Sequence, residues 1–198
     1  LLPDVVADVL SEQAQVIETL RRNALDFLAR RGYQLVYTPF IEYIESLSSI
    51  SDSNQDLDLA TFKIIDQLSG RLLGVRADMT PQVARIDAHV HPVQGIARYC
   101  YAGTVLHTKP QGFNTNRAPL QLGAELFGSN CIDADVELVD LMLGLLEHVG
   151  LADRIHLDLG HVGLFRSLVK HANLDKDAEQ HLSDLYQRKA LPELAAYT

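Results

Sequence analysis

The stretch PLQLGAELF at residues 119–127 has the alternation of a β-strand with two chemically different faces. Gln121, Gly123 and Glu125 fall on one face, because successive side chains of a strand point to opposite sides of the sheet. The other face is apolar throughout, which predicts that it packs against a hydrophobic core. On the polar face, Gly123 is expected to leave room for a ligand between an amide and a carboxylate.

Two segments carry side chains that could bind a small ligand. Gln121 and Glu125 could bind a cation or a zwitterion such as an amino acid, although a solvated strand face is the alternative that the residues alone favour. The segment RADMTP at residues 76–81 places Asp78 and Thr80 at the end of a strand. Asp78 could bind an α-amino group, but local capping of the following helix, with Thr80 as its N-cap, is again favoured by the residues alone.

Working outward from the first strand, a second apolar strand is predicted at residues 96–106, so that the two form an antiparallel hairpin with an extended tip at 108–118. A helix is predicted at 133–149. Its apolar residues occupy most of the helix circumference, which predicts deep burial. The other predicted elements are a helix at 11–31, a strand at 33–38, a short helical stretch to 47, a polar surface loop at 48–58, strands at 61–67 and 71–76, a helix at 80–89, a strand at 155–159 and helices to about 189. This order predicts an α+β fold, an antiparallel sheet flanked by helices, in a single domain over residues 1–198.

The composition is that of an ordinary globular protein and argues against several classes of function. Hydrophobic residues make up 47% of the 198 residues, and the formal net charge of −9 argues against a surface that binds nucleic acid. Cys100 and Cys131 form no disulfide or zinc pattern, so a cytoplasmic location is expected. The apolar stretch 136–149 is too short and too charged to cross a membrane. Residues 1–4 show no signal-peptide pattern.

Neither a metal nor a cofactor is expected from the motifs. The eight histidines show no ligand spacing such as H-E-x-x-H. The loop at residues 105–117 carries Lys109 and Arg117, which could contact phosphates, but it lacks the glycine patterns of phosphate-binding loops. A plain hairpin tip is therefore favoured there. No serine stands in a nucleophile elbow.

Taken in order, these segments resemble the core of the class II aminoacyl-tRNA synthetases, specifically the histidyl branch. The first helix and the following GYQLVYTP at residues 32–39 resemble motif 1, the helix–strand unit of that family's dimer interface. The segments FKIIDQ (62–67) and GVRADMT (74–80) resemble the hairpin that follows. Residues 98–125, from RYCYAG to QLGAE, resemble motif 2 with its loop, and the Gln-Leu-Gly-x-Glu pattern is specific to the histidyl branch. The resemblance covers nearly the whole chain.

The resemblance implies a histidine pocket lined by Asp78, Thr80, Gln121 and Glu125. Asp78 and Glu125 would hold the α-amino group or the imidazole of histidine, and which carboxylate meets which group stays open. Gln121 would hydrogen-bond the ligand, and Thr80 would orient the mouth of the pocket. At these four positions the resemblance thereby favours a ligand site over a solvated strand face and over local helix capping.

One departure from the synthetase pattern bears on catalysis. A synthetase uses a motif 2 arginine to stabilise negative charge as the amino acid attacks the α-phosphate of ATP. In VLHTKP, at residues 105–110, that place is taken by His107. A neutral imidazole cannot replace a permanent, bidentate cation, so the resemblance does not imply synthetase activity.

Other segments resemble a non-catalytic paralogue of the synthetases, the regulatory subunits of ATP phosphoribosyltransferase. They are LDLATFK (57–63), DMTPQVARIDA (78–88) and LDLGHVGLF (157–165). The resemblance implies a subunit of histidine biosynthesis that assembles with a short-form catalytic subunit, supports its activity and helps confer feedback inhibition by L-histidine. Self-association through the motif 1 helix and strand is also implied.

Two alternatives remain at this point: a divergent histidyl-tRNA synthetase, and an inert dimerisation module. Both families continue well beyond 198 residues, and the third class II motif and a second histidine-binding segment would follow Thr198. We therefore expect a truncated portion of a longer chain. A pocket formed by this portion alone would lack a wall, which should weaken ligand binding.

Overall fold

The computed structural model describes residues 2–48, 59–110 and 116–197. The chain divides into two compact units, Leu1–Arg154 and Ile155–Thr198. The surface loop predicted at 48–58 and the centre of the predicted hairpin tip lie almost wholly outside the described residues. The single-domain interpretation stays a prediction.

Besides the helical residues 59–60, the first unit contains four helices and six strands within its described ranges. The helices are α1 (Ser11–Arg30), α2 (Ile44–Ser48), α3 (Thr80–Arg85) and α4 (Ile132–His148), with a π-helical turn at Ile86–Val90 and a 3₁₀ turn at Ala152–Arg154. The strands are β1 (Gln34–Leu35), β2 (Ile41–Tyr43), β3 (Lys63–Ile65), β4 (Leu72–Val75), β5 (Ala97–Thr104) and β6 (Leu120–Phe127).

These strands form two three-stranded sheets and confirm both predicted hairpins. One sheet has the order β2-β4-β3 and is antiparallel throughout. The other has the order β1-β5-β6, in which β5 and β6 are antiparallel over eight residues each. The short β1 runs parallel to β5, a pairing that the expectation of an antiparallel sheet did not include. The register places Tyr99 opposite Glu125, Tyr101 opposite Gly123 and Gly103 opposite Gln121.

Strand β5 is covered on both faces, and it is more buried than its long neighbour β6. On one face, Cys100 packs with Phe27 and Leu28 of α1 and with Leu141 of α4. On the other face, the tyrosines of β5 belong to a second core cluster: Met79, Val83, Ala97, Tyr99, Tyr101 and Val105. The polar residues of β6 lie on this second face, so the candidate site borders a hydrophobic core.

Local chain chemistry explains where α1 stops and how it joins the sheet. The helix buries Ala24, Phe27 and Leu28, which recur at helical spacing. Gly32 follows with φ of +86°, the left-handed conformation that glycine adopts without steric cost. The chain can therefore turn at once into β1, as the sequence predicted.

Two expectations about helix α4 and strand length are corrected. Helix α4 forms where predicted, but its side chains are not deeply buried as a set: Val136 and Met142 are exposed. The reason is that α4 packs along one side only, against α1 and β6. Strand pairing at residues 33–38 is limited to Gln34 and Leu35.

The regular structure of the second unit consists of helices in its described residues. It contains α5 (Val162–Ala172), α6 (Lys176–Gln187) and α7 (Leu191–Tyr197), with Asp175 capping α6 by accepting a hydrogen bond from the Ala178 amide at 2.8 Å. The strand predicted at 155–159 is wrong, because these residues belong to no sheet. A strand requires a neighbour for its backbone groups, and Leu159 is instead 74% exposed.

Within the described ranges of both units, no helix combines the length and the apolar character needed to span a membrane.

Candidate functional site

The candidate site lies where the polar face of β6 meets the start of α3. The alternation predicted for residues 119–127 is confirmed: Leu122 and Ala124 pack against the cluster shared by α1 and α4. Gln121 and Glu125 point the other way, toward the segment that carries Asp78 and Thr80. The hairpin and the β4–α3 connection thus bring all four predicted ligand residues to one place.

The first pair of the site is Asp78 and Gln121. The Gln121 Nε2 donates to Asp78 Oδ1 at 2.6 Å, and the Gln121 Oε1 accepts from the backbone amide of Met79 at 2.9 Å. Asp78 Oδ1 also accepts from the Thr80 amide at 3.1 Å. The amide of Gln121 therefore locks β6 to the beginning of α3, and Asp78 performs part of the local capping that the residues alone suggested.

Thr80 does not cap the helix as predicted. It is the first residue of α3, and Met79 occupies the N-cap without a side-chain hydrogen bond. The reason is a competing partner: the Thr80 hydroxyl lies 3.1 Å from the Tyr101 hydroxyl. The Thr80 hydroxyl therefore points toward the candidate site.

The second carboxylate, Glu125, is held by a tyrosine. The Tyr101 hydroxyl donates to Glu125 Oε1 at 3.1 Å. Removal from water raises the pKa of Glu125, and the nearby negative charge of Asp78 acts in the same direction, while the hydroxyls of Thr80 and Tyr101 oppose the rise. In the part of the chain that is described, Glu125 forms no ion pair. The site therefore contains an acid that is not paired with a cation within the described ranges.

The room expected above Gly123 is already filled, so that expectation is wrong. A Cβ atom at this position would collide with the hydroxyl and ring of Tyr101. The physical reason is the register, because Tyr101 lies directly opposite Gly123 across the hairpin. Tyr101 is thus a site residue that sequence reasoning missed. The signal that could have found it was the pairing of a tyrosine with a glycine once both strands had been aligned.

A cavity of about 330 Å³ lies beside these residues. Its lining includes Asp78, Gln121 and His107. The His107 Nε2 lies 2.9 Å from the carbonyl oxygen of Ala77, and since a carbonyl only accepts, this nitrogen carries the hydrogen. His107 therefore ties the segment that follows β5 to the residue before Asp78.

Arg117 does not present a free guanidinium to a phosphate. Its Nε donates to the His107 carbonyl oxygen at 3.1 Å, and its guanidinium lies 5.0 Å from the centre of the Phe62 ring. These contacts give Arg117 a structural role at the base of the hairpin, whereas the predicted tip is centred outside the described residues. Among the described residues, no cluster of three or more histidine, cysteine or acidic side chains could hold a metal ion.

Similarity to known proteins indicates the family of this chain. The chain is 79% identical over its 198 residues to an ATP phosphoribosyltransferase regulatory subunit of Acinetobacter baumannii, of which it covers 51%. The chain thus spans about half the length of that relative.

Two solved structures are similar in fold. The crystal structure of an ATP phosphoribosyltransferase regulatory subunit/histidyl-tRNA synthetase from Bacillus halodurans superposes with a TM-score of 0.85 at 27% identity, covering 98% of this chain and 49% of that one. A histidine–tRNA ligase subunit from Alicyclobacillus acidocaldarius superposes with a TM-score of 0.76 at 18% identity, covering 99% of this chain and 56% of that one. The predicted class II synthetase-like fold is confirmed.

The family model described as histidyl-tRNA synthetase matches residues 5–198, which include the whole of the hairpin and the β4–α3 segment. With nearly every described residue inside that match, the chain belongs to the histidyl-tRNA synthetase family.

Proposed function

We propose that this chain is part of a non-catalytic regulatory subunit of ATP phosphoribosyltransferase. The observation that carries the proposal is the 79% identity, over all 198 residues, to a relative that bears this name. The site agrees with a binding role, because the charged groups that the described residues bring there are two carboxylates, Asp78 and Glu125. His107, at the motif 2 arginine position, is hydrogen-bonded to the Ala77 carbonyl oxygen.

The proposed ligand of the site is L-histidine, acting as a feedback effector. Its α-ammonium group and imidazole N–H are donors, and they suit the acceptors Asp78 and Glu125. Gln121 and the backbone amide of Thr80 would orient Asp78, to which both donate, and the Thr80 hydroxyl contacts the Tyr101 hydroxyl that donates to Glu125. No cofactor is proposed.

The proposed partners are a short-form catalytic subunit and a second copy of the same chain. Self-association through α1 and the segment around β1 is supported by exposed apolar side chains on both. On α1 they are Val16, Ile17 and Leu20, and near β1 they are Leu35 and Tyr37. We further propose a cytoplasmic location, because Cys100 and Cys131 are both free thiols. With a net charge of −9, no nucleic-acid partner is proposed.

The direct test is the activity of a short-form ATP phosphoribosyltransferase with and without the full protein, over an L-histidine titration. We expect activity only in the presence of the protein, and a fall in activity as histidine rises. Glu125→Gln should keep the activation but need more histidine for inhibition. Absence of any activation would contradict the regulatory role.

The family match itself supports one competing function, a divergent histidyl-tRNA synthetase. It is tested by histidine-dependent exchange of pyrophosphate into ATP. We expect no exchange, because the imidazole of His107 does not supply the fixed positive charge that the α-phosphate requires. Exchange that depends on histidine would replace the regulatory proposal.

A further inference from the structure

The site contains a buried hydroxyl to which the proposed function assigns no role. Tyr101 lies in the centre of β5 and is only 3% exposed. Its ring belongs to the core cluster that includes Met79 and Val83, and its hydroxyl end lies over Gly123. Because any larger residue at 123 would displace it, the hairpin register and the glycine together determine where this hydroxyl stands.

The direction of the hydrogen bonds follows from simple counting. A tyrosine hydroxyl has one hydrogen to donate, and here it is donated to Glu125 Oε1 at 3.1 Å. When Glu125 is ionised and takes this hydrogen, the Tyr101 oxygen can still accept one from the Thr80 hydroxyl, which lies 3.1 Å away on the other side. The result is a one-way chain from Thr80 through Tyr101 to Glu125, which ends on an acceptor.

A chain that ends in this way favours the ionised form of the acid. Hydrogen bonds donated to a carboxylate stabilise its charge, whereas burial and a neighbouring negative charge destabilise it. The titratable groups that face Glu125 are Tyr101 from β5 and Asp78 from the segment before α3. Tyr99, opposite Glu125 in the register, is buried, and burial raises its pKa. None of these groups is a cation, so within the described part of the chain the charge of Glu125 is supported by hydroxyl donors.

We propose that Tyr101 is a positioning residue that orients Glu125 and holds it as a carboxylate, ready for a cationic or N–H-donating group of the ligand. The inference rests on the proposed histidine site. It adds that Glu125 needs the Tyr101 hydroxyl to stay ionised. The Thr80 hydroxyl supports the same carboxylate, since it lies beside the Tyr101 hydroxyl and also lowers the pKa of Glu125. Selectivity for a ligand with a positive group follows, since an ionised carboxylate that lacks a cation attracts one.

The test uses Tyr101→Phe in the full protein, because phenylalanine keeps the ring over Gly123 and removes only the hydroxyl. The first measurement needs no ligand: the carboxyl ¹³C signal of Glu125 is followed through a pH titration. We expect the pKa of Glu125 to be higher in the variant than in the parent protein. An unchanged pKa would overturn the proposal.

The second measurement is the affinity for L-histidine as a function of pH, by calorimetry. We expect Tyr101→Phe to weaken binding by about tenfold near neutral pH, the usual size for a lost hydrogen bond to a charged group. Binding should also fail at a higher pH when the solution is acidified, because the carboxyl group protonates earlier. A weaker affinity with an unchanged pH profile would mean a merely structural role and would overturn the proposal.

Tyr33→Phe is the matched control. Tyr33 is also 3% exposed, and its hydroxyl donates to a carboxylate, Glu137, at 2.9 Å on the opposite face of the sheet. Its loss should lower stability without moving the pKa of Glu125 or the pH profile of binding. If the parent protein bound no histidine while the pKa of Glu125 still rose in Tyr101→Phe, the proposed function would fail and the role of Tyr101 would stand.

Discussion

Two glutamates lie against opposite faces of the β1-β5-β6 sheet, and each accepts a hydrogen bond from a tyrosine. The two glutamates nevertheless differ in their other partners. Glu125 accepts from Tyr101 at 3.1 Å, and Glu137 accepts from Tyr33 at 2.9 Å. Glu137 also receives two hydrogen bonds from Arg98, at 2.6 and 2.7 Å, whereas Glu125 has no ion pair in the described part of the chain.

The pKa values of the two acids move in opposite directions as a consequence. Hydrogen bonds from Arg98 are the largest influence on Glu137, and they lower its pKa from 4.5 to about 2. Burial is the largest influence on Glu125, and it raises the pKa of that carboxyl group. A carboxylate that is satisfied within the chain stabilises the fold, and one that lacks a cation is available to a ligand.

The strongest test of this comparison is to remove each charge separately. Glu125→Gln should weaken L-histidine binding by roughly tenfold to a hundredfold, because a charged acceptor of the ligand is lost. Glu137→Gln should leave the affinity unchanged and lower the melting temperature. Calorimetric titration and thermal unfolding of both variants measure the two effects. Equal losses of affinity would remove the distinction between the two acids.

The site also depends on the contact between Tyr101 and Gly123. Gly123→Ala should destabilise the protein by about 1–3 kcal/mol, since the added methyl group overlaps the tyrosine ring and hydroxyl. Urea unfolding provides the free energy. Gly160→Ala is the control, because nothing lies within 4 Å of a Cβ atom built at that position. A stable Gly123→Ala variant would show that Tyr101 can leave its place at little cost.

The ion pair of Glu137 should appear in the dependence of stability on pH. A carboxyl group whose folded pKa is lowered contributes stability above its unfolded value, 4.5, and loses it as the pH falls toward about 2. Because both side chains are about one-third exposed, at 31% and 33%, solvent screening limits the contribution to about 1 kcal/mol or less. The difference in unfolding free energy between the parent protein and Glu137→Gln should therefore shrink between pH 5 and pH 2. A difference that stayed constant over this range would contradict the assignment.

The two cysteines extend the comparison to thiols, with the smallest expected effect. Burial raises the pKa of Cys100 to about 11, whereas the Ser129 hydroxyl lowers the pKa of the exposed Cys131. A disulfide reagent at pH 8 should modify Cys131 quickly and Cys100 only after unfolding. Cys131→Ser should abolish the fast reaction, and a fast phase that persisted would place Cys100 within reach of solvent.

Short-range patterns in the sequence were sufficient for much of the fold. Helices α1 and α4 and both hairpins were predicted correctly, because apolar periodicity and turn residues act between near neighbours. The strand expected at 155–159 had the same alternation and does not form. Its error shows that pattern alone cannot supply the neighbouring backbone that a strand requires.

The candidate site was predictable in its members and unpredictable in its arrangement. Resemblance and strand alternation pointed to Asp78, Thr80, Gln121 and Glu125, and the structure brings these four together. Tyr101 was missed, because its role depends on the residue opposite it and on no motif of its own.

The sequence by itself determined the two faces of β6, the polar character of the site and the family to which the chain belongs. Each of these depends on residue type and spacing along the chain. Only the tertiary structure decided that Tyr101 fills the space over Gly123, and that Arg98 pairs with Glu137 while Glu125 has no ion pair among the described residues. These features depend on register and burial, which arise from contacts between residues far apart in sequence.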